Sequence, residues 1–150
     1  MSSSYPSATL WRRLAALVYD AFLLFGLLMI YGYIVVLCEQ VFIGAEGIER
    51  SPTAGGNPFV FAGMLILIGS FYCLFWLRNQ QTLGMQAWRL QLETLDGSPL
   101  TLQHCIRRLL AGILSFACLG IGFLWCLGPA RTTWHDQLSR TRVVVHEKRK

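Results

Sequence analysis

No serine, threonine or cysteine in this chain stands with a histidine and an acid in a pattern that would make a nucleophile and its base, so an enzyme is not expected. The five cysteines, Cys38, Cys73, Cys105, Cys118 and Cys126, are odd in number and widely spaced, mostly in or at the ends of apolar segments. There cysteine acts as a small hydrophobe, which excludes a disulfide framework and a metal site. The nearest approach to a ligand cluster is His104 beside Cys105 and His135 beside Asp136, and neither has zinc spacing. Gln81-Thr82-Leu83-Gly84 lacks the spacing of a phosphate cradle, and no cofactor is expected. Charge is scarce, at 14% of residues. The leader from Met1 to Leu10 lacks the basic n-region of a cleaved secretory signal, so the first apolar run should stay in the mature protein.

What the sequence has instead is long apolar runs. Leu14 to Cys38, Pro58 to Leu77 and Leu109 to Gly128 are each long enough to cross about 30 Å of hydrocarbon at about 1.5 Å per residue. These runs consume so much of the 150 residues that no separate soluble core can form from the rest. One membrane domain, 1–150, with apolar regions near 14–38, 58–77 and 101–128 is the expectation, and the bilayer is its first partner; nucleic acid is not.

Lys and Arg collect on the cytoplasmic side of membrane proteins. Arg12 and Arg13 precede the first run, whereas the loop from Glu39 to Asn57 holds three glutamates against Arg50. The N-terminus is therefore expected inside. Arg78, Arg89, Arg107 and Arg108 place the second connection inside as well. A single third span would then export Arg131, Arg140, Arg142, Lys148, Arg149 and Lys150. The alternative is a hairpin, with one helix over about Thr101 to Cys118 and a shorter one over about Ile121 to Leu127, folded at Gly120 and Gly122 and ended by Pro129. Both threadings fit the apolar pattern.

Trp88 to Glu93 alternates apolar and polar residues before an Asp96-Gly97 turn, and Arg140 to His146 is β-branched. Both read as strands, and two strands on one side could pair into a ribbon. The alternative is a pair of basic linkers, with the C-terminal tail binding anionic lipid headgroups. The fold class expected is thus an all-α membrane bundle of three apolar regions, the third a span or a broken hairpin, with a short cytoplasmic two-stranded β ribbon.

Asp20 lies inside the first apolar run, about 9 Å below the interface by helical rise. An acid at that depth costs up to about 2.5 to 3.5 kcal/mol, so it should be paired, protonated or beside water. Arg13 stands seven positions earlier on the same helix face, but about 10 Å away along the axis. Arg107 or Arg108 is the expected partner. Asp136 is expected to meet Arg13 or the arginine pair at the boundary, as a semi-exposed pair contributing below about 1 kcal/mol. Arg13, Asp20, Arg107, Arg108 and Asp136 form the candidate polar network, either as glue between helices or with Asp20 as a proton or cation carrier. Trp76, Trp88, Trp125 and Trp134 read as anchors at the membrane surface.

These residues resemble the RDD family of small bacterial membrane proteins, named for one arginine and two aspartates. The likeness rests on Arg13-x2-Ala16-x3-Asp20, Gln81-Thr82-Leu83-Gly84, Leu95-Asp96-Gly97, Arg107 and Arg108, and His135-Asp136-x-Leu138-Ser139-x-Thr141. It implies that Arg13, Asp20 and Asp136 are the name residues, and that the protein sits in the bacterial inner membrane as a multi-pass protein. Met85 stands where the family usually has lysine. Proposals for some members include cation/proton antiport, so two roles follow: a structural or accessory membrane component offering its surface to a partner, or a transporter acting as an oligomer.

Overall fold

The computed structural model describes residues 6–43, 56–118 and 132–146. In chain order these form α1 (Leu10–Ile43), α2 (Pro58–Asn79), α3 (Leu83–Ala87), β1 (Leu90–Thr94), α4 (Leu102–Ala117), α5 (Trp134–Ser139) and β2 (Thr141–Val145). The loop between α1 and α2, the fold-back at Gly120 and Gly122 with its second limb, and the basic end Lys148 to Lys150 lie outside the described residues.

Both long helices follow from unbroken apolar sequence. From Ala21 to Cys38 no charged residue interrupts α1, and α2 runs from Pro58 to Leu77 without one. Proline suits the first helical position because its missing N–H would be unpaired there anyway, and the Asn57 side chain accepts the Phe59 N–H at 2.9 Å. At the other end Arg78 lies in the last turn, where a cation complements the helix dipole. Stretches of 33 and 22 residues in these helices are long and apolar enough to span a bilayer, and almost none of either stretch is buried against protein. The core helix of a soluble protein would be buried; these two face outward with Phe22, Phe25, Phe59 and Ile66. The protein is a small membrane protein.

The chain divides into two units, Met1–Asp20 with Phe71–Lys150, and Ala21–Ser70. In the second, the Tyr31 hydroxyl donates to the Val60 carbonyl at 3.1 Å. A side chain at Gly63 would run into that tyrosine ring, so glycine lets the two helices meet there.

The first unit is built on a ribbon. β1 and β2 pair antiparallel, with Leu90 opposite Val145, Leu92 opposite Val143 and Thr94 opposite Thr141. Leu90, Leu92 and Thr94 point inward in the alternation that the sequence carries. The segment before α1 adds a short third edge: Ala8 N–H donates to Val143 O at 2.9 Å, and Val145 N–H to Pro6 O at 3.1 Å. On the far side Leu92 N–H donates to Gln80 O at 2.7 Å. The chain before α1, the chain after α2 and the chain after α5 therefore stand side by side. A core of Ala8, Ala16, Trp76, Met85, Leu90, Leu92, Cys105 and Val143 closes over the ribbon. Met85 is an apolar core residue in this chain.

The expected first limb of the third apolar region is α4, bounded by Thr101 and Cys118. Its composition is amphipathic, unlike α1 and α2. Cys105, Arg108, Ala111 and Ser115 are buried along one face, while Leu102, Ile106, Leu110 and Ile113 are exposed along another.

Candidate functional site

Two buried acids organise the first unit. Asp136 sits in the first turn of α5 and is 1% exposed. Thr133 caps that helix: its N–H donates to Asp136 Oδ2 at 3.2 Å, and its hydroxyl accepts the Asp136 N–H at 3.4 Å. This reciprocal pair is a capping box, written in the sequence as Thr-x-x-Asp. Two guanidiniums then close on the same carboxylate. Arg13 reaches Oδ2 at 2.5 Å from α1, and Arg108 reaches Oδ1 at 2.7 Å from α4.

Each arginine is held by further contacts. Arg13 Nε donates to the Ala8 carbonyl at 3.2 Å. Arg108 donates to the Thr141 hydroxyl at 2.7 Å, and its guanidinium lies 5.5 Å from the centre of the Trp76 ring. Thr141 in turn shares a 2.6 Å hydrogen bond with Ser139, whose hydroxyl also donates to the His135 carbonyl. One carboxylate thus connects α1, α4, α5 and β2. Burial alone would raise the Asp136 carboxyl, but Arg108 and Arg13 outweigh it and hold the group well below the carboxylate range. At neighbouring His135, burial and then Arg108 disfavour the imidazolium and push its pKa down to about 3.

Asp20 is held differently. Its Oδ2 accepts from the Thr82 hydroxyl at 2.5 Å, and its Oδ1 from the Gly84 N–H at 2.8 Å. Thr82 also caps α3, accepting the Met85 N–H at 3.1 Å. The carboxylate therefore sits at the N-terminal end of a short helix, among donors that satisfy a charge without a cation. Contact is close because residue 84 is glycine: a Cβ there would strike the Ala16 carbonyl oxygen and stand 2.9 Å from the Asp20 carboxylate.

Of the five residues expected to form one network, Arg13, Arg108 and Asp136 come together, and Arg107 is exposed. The expected pairing of Asp20 with Arg107 or Arg108 is corrected: its partners are Thr82 and Gly84, from the connection after α2. The expectation of a semi-exposed Arg13 and Asp136 pair is also corrected. Both side chains are buried because the N-terminal segment, α4 and the ribbon close around them. Trp76, read as a surface anchor, is instead buried beneath Arg108; Trp88 is exposed, and Trp125 lies outside the described residues.

Thr82, Gly84, Trp76 and Thr141 went unassigned from sequence as members of the two clusters. The Thr82 cap before a short helix and the Thr133-x-x-Asp136 box were available as local signals; the contact partners, 28 to 123 positions away, were not. Among the described residues no group of three His, Cys, Asp or Glu side chains is placed to hold a metal.

No curated relative and no solved structure matches this chain. A family model does: that of the RDD family covers residues 7–140, from the ribbon edge before α1 to the end of α5. With the arginine at the head of the first apolar helix, an aspartate two turns on and a second aspartate gathered to that arginine, the chain belongs to the RDD family.

Proposed function

We propose that this protein is a structural or accessory component of the bacterial inner membrane, without enzymatic activity, whose buried aspartates fasten its helices. The observation that carries the reading is that all four carboxylate oxygens of Asp20 and Asp136 already accept hydrogen bonds from the protein itself. Each of these acids links segments far apart in sequence. A residue so fully bonded serves as a fastening, because carrying an ion would require those bonds to break and re-form. In this reading Arg13, Arg108 and Asp136 form one clamp, and Asp20 with Thr82 and Gly84 forms the other. The lipid-facing helices or the basic tail are then available to a partner membrane protein or to anionic headgroups.

A second reading, a cation/proton antiporter acting as an oligomer with Asp20 as carrier, draws on one observation: the two groups that bond Asp20 are neutral. Proteoliposome flux separates the two. A pH-sensitive dye reports proton movement under imposed Na⁺, K⁺ and Li⁺ gradients for the parent and for Asp20→Asn. The fastening reading expects no cation-dependent signal above empty vesicles, and a lower melting temperature in detergent for Asp20→Asn. A cation-dependent signal that the variant loses while melting as the parent does would establish transport instead.

A further inference from the structure

We propose that α4 lies in the plane of the membrane surface, with its apolar face on lipid acyl chains and its polar face on α5, and does not cross the bilayer. The first observation is how its residues are arranged. Leu102, Ile106, Leu110 and Ile113 recur at helical spacing and are 53, 45, 61 and 64% exposed, whereas the opposite face is small or polar and buried. A soluble amphipathic helix buries its apolar face and wets its polar one. This helix does the reverse, so the medium on its open side is apolar.

Length and charge then decide how it meets that medium. Sixteen residues rise about 24 Å, short of the roughly 30 Å of hydrocarbon. Arg107 is exposed in the second turn, and a bare arginine in the hydrocarbon costs about 2.5 to 3.5 kcal/mol near its centre. In the plane of the interface its guanidinium can reach lipid phosphate while the leucines and isoleucines enter the acyl region. The chain's path agrees with this arrangement. Residues of α5 and β2 bond to Arg108 and pair with β1, so the chain returns after α4 to the place where α4 began. A single crossing by 109–128 would carry it away from there. The occupant is lipid acyl chain because α1 and α2 of the same protein are long, apolar and almost unburied, as helices that span a bilayer are.

Spin labels test this in the full chain, reconstituted into phosphatidylethanolamine and phosphatidylglycerol vesicles with the native cysteines replaced. Labels at Ile106, Leu110 and Ile113 occupy exposed positions and leave the packing intact. Collision with oxygen and with a water-soluble nickel chelate reports the depth of each, and a label at Phe25 of α1 reports whether the bilayer is engaged. The expected result is three oxygen-accessible labels at one shallow depth, within about 3 Å of each other, and a deeper label at Phe25. A crossing helix would separate Ile106 from Ile113 by about 10 Å, and that gradient overturns the proposal. So does shielding from both reagents, which would mean a second copy or a protein partner covers the face. Collision with the chelate alone also overturns it, and at Phe25 the same result would take the membrane reading down as well.

Discussion

Asp136 holds two guanidiniums inside the first unit, and its removal leaves both without their carboxylate. Breaking a buried ion pair from one side typically costs about 3 to 5 kcal/mol, while replacing both partners with apolar groups costs far less. Asp136→Ala should therefore sharply lower stability in detergent, and adding Arg108→Leu should restore part of the loss; thermal melts of the two single variants and the double variant measure the coupling. Restoration will be incomplete because Arg13 still faces the gap. The same cluster sets a pH response. In the unfolded chain His135 takes up a proton near its ordinary 6.5, while the folded protein resists protonation down to about 3. Across that interval the unfolded state binds more protons, so stability falls as pH falls, by at most about 1.4 kcal/mol per pH unit. Asp136 adds its own loss only below its ordinary 3.8, since its folded value is depressed. Melting temperature against pH from 7 to 4 should decline in the parent and flatten in His135→Asn.

At the scale of elements, the decisive contact is the approach of α3 to α1. Helix propensity has little to do with it, since α3 has only five residues. It stays in place because Thr82 and Gly84 grip Asp20, and because residue 84 has no Cβ to push Ala16 away. Gly84→Ala must displace backbone or separate the acid from its donors, which should cost at least about 1 to 3 kcal/mol. Thr82→Val keeps the shape but removes a donor to a buried carboxylate and the α3 cap, a loss of about 2 kcal/mol. Thr82→Ser should retain most of the parent stability, and the order Ser above Val in a thermal melt is the check. By contrast Glu93 and Arg142, opposite each other across the ribbon at 3.2 Å, remain partly exposed. Their pair should contribute under about 1 kcal/mol.

For the whole molecule, the ribbon fixes which segments share a side. Pro6 to Ala8, Gln80 to Thr94 and Thr141 to His146 are hydrogen-bonded into one layer, so no threading can part them across a bilayer. Arg12, Arg13, Arg78, Arg89, Arg140 and Arg142 flank this layer, and the bias of Lys and Arg toward the cytoplasm predicts that side for it. Reporter fusions at Ser7, after Asp96 and at Lys150 should all read cytoplasmic, with a fusion in the 44–55 loop reading external. An external reading at Lys150 would contradict the ribbon.

Sequence alone determined what depends on local pattern. The two long apolar helices and the two strands, read over Trp88 to Glu93 and Arg140 to His146 and found at Leu90 to Thr94 and Thr141 to Val145, were legible, as were the bounds of α4 on the hairpin threading, because length, periodicity and caps act over a few residues. Singling out Asp20 was legible too, since an acid in an apolar run needs a partner wherever it folds. Who that partner would be was not. Arginine was the electrostatic expectation, yet a hydroxyl and a backbone N–H took the place, because Gly84 permits an approach that only the folded chain reveals. Likewise the outward turn of α4's apolar face and the burial of Arg13, Asp136 and Trp76 were decided by tertiary structure. Burial depends on which surfaces meet, and here the surfaces that meet are brought together by strands and helices remote from one another in the chain.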